Sequence, residues 1–265
     1  RSWQGPTGSF EESAAVKLLS DWIEHRRHVG FRIYTNQMSE LPLDVRRNVT
    51  SFGPDKQRVL YWDPDYIEDH RRLIEYLGSR FAHSPYLAFV DIGGVGNTGG
   101  EWHFSPLGLY REEGLDGDQM YMLVKTFTDM YRKAFPATRL FIGYDSITHA
   151  GNRKGDVMRL IEERRIGVRD DGLGGWPYPQ PFPPLDAWPL PVLWRRTPVL
   201  FEGSGKGGGV YGWGLQGKDR TKILRWAFER AHPSYINLAG SETGSEKACE
   251  QLTPLLLTYG RRLGY

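Results

Sequence analysis

Apolar residues recur at helical spacing in several separate stretches of the chain. Over Phe10–His28 they follow a period of about 3.6 residues, and Ser9 is placed to cap the first turn, so we predict an amphipathic helix. The same spacing predicts further helices over 65–81, 117–135, 155–165, 218–231 and 246–263, the last of them kinked or split at Pro254.

Between these helices lie short runs that are apolar on nearly every residue, as is typical of parallel strands covered on both faces. They predict strands over 29–35, 86–92, 139–144, 166–169, 198–201 and 234–238. Alternating helices and strands indicate an α/β protein with a parallel sheet, either an open doubly wound sheet or a (β/α) barrel. The chain supplies six predicted strands, whereas a closed barrel of this kind has about eight.

Two long stretches have no clear period. Residues 36–62 are long for a connecting loop, which favours a functional excursion. Residues 172–198 hold eight of the 17 prolines together with Trp176, Trp188 and Trp194, which predicts a stiff, aromatic-rich loop. Rings in loops suit stacking on the flat apolar faces of sugars, so we expect this loop to form a wall of a binding cleft.

Charge and composition exclude several classes of protein. The 34 basic residues nearly balance the 32 acidic ones, and no basic block stands out, so we expect no nucleic-acid partner. No run approaches the roughly 18 apolar residues of a membrane span, so we expect no membrane partner. The single cysteine, Cys249, excludes an intrachain disulfide and a cysteine metal cluster. The compartment stays open, with a secreted or periplasmic location slightly favoured.

Two glycine-rich segments, 94–99 and 203–208, match the pattern G-x-G-x-x-G of dinucleotide-binding loops. That pattern binds pyrophosphate only where a helix begins directly after it. Neither segment is followed by a predicted helix start, and the negative charges of Glu101 and Glu202 would repel phosphate. We therefore predict no cofactor, and a nucleotide-dependent enzyme is the third of three hypotheses.

Glu101 and Glu202 are the strongest candidates for chemistry. Each follows a predicted buried strand, next to glycine and near a tryptophan. The carboxyl ends of strands are where α/β folds place their active sites. Cleavage of a glycosidic bond needs two carboxyl groups, one of which is kept protonated by burial, for example beside aromatic rings.

The segment YWDPDYIEDHRRLIEYLGSRFAHSPYLAFVDIGGVGNTGGEWH, which ends at His103, resembles the stretch leading through barrel strand 4 in the clan of retaining (β/α)8 glycoside hydrolases. The resemblance is closest to β-galactosidase-like and GEW-motif barrel proteins. It implies that Glu101 ends strand 4 as the acid/base and that Glu202 ends strand 7 as the nucleophile. It also implies an oligo- or polysaccharide substrate, retention of configuration, and carboxyl groups about 5–5.5 Å apart.

The same resemblance makes residues 29–35 barrel strand 3 and residues 234–238 strand 8. It implies one catalytic domain over 1–265, a (β/α)8 TIM barrel that lacks strand 1 and most of strand 2. Because an incomplete barrel has open edges, we expect an N-terminal portion or a partner chain to complete it. Many clan members carry Asn before the acid/base Glu; Gly100 stands there in this chain, so the contact of that Asn with the sugar must come from elsewhere or be absent.

Further substrate-binding candidates end predicted strands or lie in loops: Arg32, Trp102, His103, Tyr144, Arg169, Asp170, Trp176, Trp213 and Asn237. Several have a plain structural alternative, such as an ion pair for Arg32 or a salt-bridged turn formed by Arg169, Asp170 and Asp171. No spacing of His and Asp suggests a metal site. A second hypothesis for the whole chain is a carbohydrate-binding barrel without catalytic activity.

Overall fold

A computed structural model describes residues 9–97, 101–170, 193–202 and 232–237, together with residues 229, 254 and 257. The chain divides into two compact units, Arg1–Arg164 and Arg165–Tyr265. Within the described ranges, none of the helices has the length and apolar character needed to span a membrane.

The first unit alternates helices and strands. In chain order these are α1 (Ala14–Glu24), β1 (Val29–Arg32), α2 (Leu43–Asn48), β2 (Ser51–Phe52), β3 (Arg58–Val59), α3 (Pro64–Phe81), β4 (Leu87–Ile92), α4 (Leu107–Glu112), α5 (Gly117–Ala134), β5 (Leu140–Gly143), α6 (Asp145–Thr148) and α7 (Lys154–Glu163). Short 3-10 helices cover Met38–Glu40 and Gly151–Arg153.

Strand β4 is central to the first unit. It lies between β1 and β5 and runs parallel to both, with Val90 opposite Phe31 on one side and Leu140 on the other. Parallel strands bring their carboxyl ends to the same edge of a sheet. The residues that follow β1, β4 and β5 therefore share one edge.

Two capped helices pack together beside this sheet. The side chain of Asp63 caps α3 by accepting hydrogen bonds from the amides of Asp65 and Tyr66, and Asp116 caps α5 in the same way. Helices α3 and α5 approach closely at Gly78, where a Cβ would collide with the backbone of Ala134. This close packing fixes the helices that support β4.

The sequence predicted α3, α5, α7 and the three parallel strands of the first unit within two residues at nearly every boundary. The first helix is shorter than predicted, since it covers Ala14–Glu24. Residues 36–62 are also more ordered than an irregular excursion: they form α2 and an antiparallel pair of β2 and β3, and they bury Leu41 and Val45. Elements of two to six residues are too short to produce a visible period.

In the second unit the described strands are β6 (Gly167–Asp170), β7 (Val199–Glu202) and β8 (Tyr235–Asn237). Strand β7 is parallel to both neighbours, with Val199 opposite Val168 and Leu200 opposite Tyr235. The α/β class and the parallel strands are therefore confirmed, whereas closure into a (β/α)8 barrel stays a prediction. The predicted helices over 218–231 and 246–263, apart from three single positions, and the loop up to residue 192 lie outside the described residues.

Candidate active site

The loop after β4 is folded tightly back on itself. Gly94 and Gly96 both have positive φ angles, 86° and 93°, which favour glycine. A Cβ at Gly96 would lie 2.6 Å from the carbonyl oxygen of His103, and one at Gly94 would collide with the ring of His70. Both glycines are thus explained by the backbone path and by close packing, without a phosphate ligand.

Backbone and side-chain hydrogen bonds hold this loop closed. The Trp102 amide donates to the Val95 carbonyl at 2.7 Å, and the Asn97 amide donates to the His103 carbonyl at 3.0 Å. The side chain of Asn97 bonds both backbone polar groups of Ser105. Residues 101–105 are therefore tied to the end of β4.

Glu101 takes part in an ion-paired cluster. Its carboxylate oxygen Oε1 lies 2.7 Å from Nη2 of Arg32, and Nη1 of Arg32 lies 3.3 Å from Oδ2 of Asp91. The three side chains come from the ends of β1 and β4 and from the loop, and Glu101 retains only 13% of its side-chain exposure. The ion pair proposed as the alternative for Arg32 is therefore present. Limited exposure to water strengthens it, and the guanidinium stabilises Glu101 in its ionised form.

The end of β5 approaches the backbone of Glu101 closely. A Cβ at Gly143 would collide with the Glu101 carbonyl oxygen and would lie 3.3 Å from the Trp102 ring. Glycine at this position allows the two backbones to touch. The position of Glu101 thus depends on β1, β4 and β5 together.

Trp102 corrects an expectation from the sequence. Its indole is fully buried, donates to the Ile92 carbonyl at 2.8 Å and packs edge-to-face against Phe127. A ring in this position cannot stack on a sugar. The residue also has φ of 69°, an unusual conformation for a side chain of this size. The buried ring anchors the backbone between Glu101 and His103.

A second polar cluster consists of His103, which follows Trp102 in the loop, and of Asp145 and His149 from the segment after β5. Nδ1 of His103 is 2.7 Å from Oδ2 of Asp145, and the Thr148 hydroxyl donates to Oδ1 of the same carboxylate at 3.0 Å. Nδ1 of His149 is 3.0 Å from the Trp102 carbonyl oxygen. Burial lowers the pKa of His149, although the carboxylate of Asp145 acts in the opposite direction.

The sequence had singled out His103 but not its two partners. Asp145 begins α6 and His149 directly follows it, so the two residues are four positions apart, a spacing that puts side chains on one face of a helix. This spacing, directly after a predicted strand, is the sequence feature that could have identified Asp145 and His149 as site residues. Among the described residues these three side chains are also close enough to hold a metal ion.

Three further predicted site residues, Tyr144, Arg169 and Asp170, lie at or near the ends of strands β5 and β6. Tyr144 is half-buried, and its carbonyl accepts from the Ile147 amide at the start of α6. Arg169 and Asp170 are buried and are the last two residues of β6. A strand position explains their burial.

Glu202 is the last residue of β7 and Asn237 the last residue of β8, one residue opposite the other. Their side chains lie outside the described residues, as do Trp176 and Trp213. The expected carboxyl separation between Glu101 and Glu202 therefore stays a prediction.

Comparison with known proteins gives one distant structural likeness. A scan against protein-family models finds no match, and a search of curated proteins finds none. Among solved structures the chain is similar to "a psychrophilic glycoside hydrolase family 10 endo-beta-1,4-xylanase", with a TM-score of 0.41 and 12% identity over 84% of this chain and 69% of that chain. A likeness at this level assigns neither a family nor an activity.

Proposed function

We propose that the chain is a retaining glycoside hydrolase that acts on an oligo- or polysaccharide, with Glu101 as acid/base and Glu202 as nucleophile. The observation that carries the proposal is the setting of Glu101: a little-exposed carboxylate after a parallel strand, held by Arg32 and by contact with Gly143. Glu202, at the carboxyl end of another parallel strand, supplies the second carboxyl group. The sequence resemblance around Glu101 supports the same pairing.

The proposed reaction has two steps. Glu202 attacks the anomeric carbon while the protonated Glu101 donates its proton to the leaving glycosidic oxygen, which leaves the sugar esterified to Glu202. Glu101, now ionised, then removes a proton from water, and that water releases the sugar from Glu202 with its original configuration.

Arg32 sets a condition on the first step. Its guanidinium stabilises ionised Glu101, which suits the second step, whereas the first step needs Glu101 protonated. Asp91 lies 3.3 Å from the same guanidinium and offers it another partner. The proposal therefore requires that substrate binding moves Arg32 away from Glu101 and towards Asp91.

A screen of aryl glycosides and polysaccharides tests the proposal. Glu101→Gln and Glu202→Gln should each reduce kcat at least about 100-fold, because each removes a group that acts in the transition state. Glu113→Gln is the control, since Glu113 is exposed beyond the end of α4 and should be dispensable.

The alternative, a carbohydrate-binding protein without catalysis, is favoured by the 2.7 Å contact that holds Glu101 as an ion-paired carboxylate. Glycan binding by the parent protein with no hydrolysis of any substrate would support that alternative and contradict the enzyme. Hydrolysis that survives both Gln substitutions would contradict the assignment of the two residues.

A further inference from the structure

We propose that His103, Asp145 and His149 form a binding site for one divalent transition-metal ion of the zinc type, next to Glu101 in the first unit. Each side chain can offer one ligand atom, and the three atoms lie within 4.8 Å of one another. Ligand atoms on one tetrahedral zinc ion are roughly 3.3 Å apart, given bonds of about 2.0–2.2 Å. Small side-chain rotations would close that gap.

The hydrogen bonds around the cluster already orient its ligands. A carbonyl oxygen can only accept, so Nδ1 of His149 carries the proton that it donates to the Trp102 carbonyl. The second nitrogen, Nε2, then presents its lone pair. Histidine ligands of metals commonly donate their other ring N–H to a carbonyl or carboxylate in this way.

Hydrogen bonds also orient the side chain of Asp145. Its Oδ1 accepts from the Thr148 hydroxyl, and its Oδ2 meets Nδ1 of His103. The two contacts hold the carboxylate beside the imidazole of His103, and its ligand oxygen lies within 4.8 Å of the ligand nitrogens of both histidines. The carbonyl that orients His149 belongs to Trp102, whose buried ring cannot move without disrupting the core.

The ligand types select the class of ion. Two imidazoles and one carboxylate suit Zn²⁺ and its neighbours Co²⁺ and Ni²⁺, whereas Mg²⁺ and Ca²⁺ prefer oxygen ligands alone. Three protein ligands leave a coordination position for water or substrate. The side chains of His103 and Asp145 retain 43% and 25% exposure, so solvent can reach that position.

Metal binding is independent of the proposed hydrolase activity, and so is its test. The full chain, treated with a chelator and dialysed, is titrated with Co²⁺ followed by visible absorption and with Zn²⁺ followed by calorimetry. We expect one ion per chain, bound at least about 100-fold more tightly than Mg²⁺ or Ca²⁺.

The variants decide whether these three residues bind the ion. His103→Gln, Asp145→Asn and His149→Gln should each weaken Zn²⁺ binding at least about 100-fold, because loss of even an outer-shell partner costs about 10–100-fold. Thr148→Val removes a hydrogen bond to Asp145 but no ligand, so it should weaken Zn²⁺ binding about 10-fold. This variant keeps the site testable if a ligand variant fails to fold. His83→Gln, a variant of a histidine outside the cluster, is the control.

Two results would overturn the site. One is that the parent protein binds neither Co²⁺ nor Zn²⁺, which would mean that the cluster is only a histidine–carboxylate hydrogen bond. The other is binding that His103→Gln and His149→Gln leave as tight as His83→Gln does.

Discussion

The residues on either side of Trp102 in the sequence belong to two polar clusters, which differ in charge pairing and in exposure to water. The residue before it, Glu101, joins Arg32 and Asp91 in a network of ion pairs, whereas the residue after it, His103, joins Asp145 in a histidine–carboxylate hydrogen bond. The side chain of Glu101 keeps 13% of its exposure and that of His103 keeps 43%. One short loop thus contributes Glu101 to a sheltered cluster and His103 to a cluster that is open to solvent.

The two clusters are suited to different roles because their exposure to water differs. Sheltered charges interact strongly and separating them costs free energy, so Arg32 holds the Glu101 carboxylate in place and favours its ionised form. The histidine cluster can exchange protons or ions with solvent because water reaches it. The buried indole of Trp102 anchors the backbone between Glu101 and His103, the residues that this loop contributes to the two clusters.

Trp102→Ala should have the largest effect on stability, because this side chain anchors the loop between Glu101 and His103. The substitution removes a fully buried ring and its hydrogen bond to the Ile92 carbonyl, and it should lower the free energy of unfolding by about 3–5 kcal/mol. Denaturant unfolding measures the loss. Trp22→Ala is the matched control, since Trp22 is 47% exposed and should change stability by no more than about 0.5 kcal/mol. Similar losses for both would mean that Trp102 does not anchor the loop.

Arg32→Met tests the sheltered cluster alone. Removing the cation leaves Asp91 and Glu101 as little-exposed carboxylates without this partner, so we expect a loss of about 3 kcal/mol, the low end for a buried pair because Arg32 keeps 20% exposure. Lys133→Met, which breaks an exposed pair with Glu75, should cost less than about 1 kcal/mol.

Adding Asp91→Asn and Glu101→Gln to Arg32→Met should recover much of the stability, because no unpaired charge remains. No difference between Arg32→Met and Lys133→Met would refute the sheltered character of the cluster.

His70 lies in the core against the loop that follows β4. It is fully buried against Gly94, and burial lowers its pKa to about 3, below the ordinary value of 6.5. The folded state therefore prefers neutral His70, and the resulting stability is complete above pH 6.5 and lost as the pH falls towards 3. This group should add a slope of about 1.4 kcal/mol per pH unit between those values. Unfolding curves across that range measure it.

In that experiment His70→Gln should remove the slope due to this group, and His83→Gln should leave it unchanged, since His83 lies outside the core that surrounds His70. A slope that persists in His70→Gln would assign the pH dependence to other groups.

The sequence predicted the elements that carry long periods and strong boundary signals. Helix α3 has both an apolar face and Pro64 at its start, and the expected buried strand before Glu101 is present as Leu87–Ile92. Helices α4 and α6 were not predicted, because four to six residues span less than two turns and show no period.

The site was predictable only in part because its contacts depend on the backbone path. An aromatic residue beside Glu101 suggested a sugar platform, but the left-handed conformation of Trp102 turns the ring into the core. Asp91 lies within an otherwise apolar strand, where an acid indicates a buried partner, but the sequence does not identify Arg32 as that partner. Asp145 and His149 meet His103 only once the loop has folded.

Product analysis with azide most directly tests the pairing of Glu101 with Glu202. With an activated aryl glycoside, Glu101→Ala plus azide should yield a glycosyl azide of retained configuration, because azide attacks the sugar esterified to Glu202. Glu202→Ala plus azide should yield the inverted azide, because azide replaces the nucleophile itself. Nuclear magnetic resonance of the anomeric proton distinguishes the products. No azide product from either variant, or the same configuration from both, would contradict the assignment of acid/base and nucleophile.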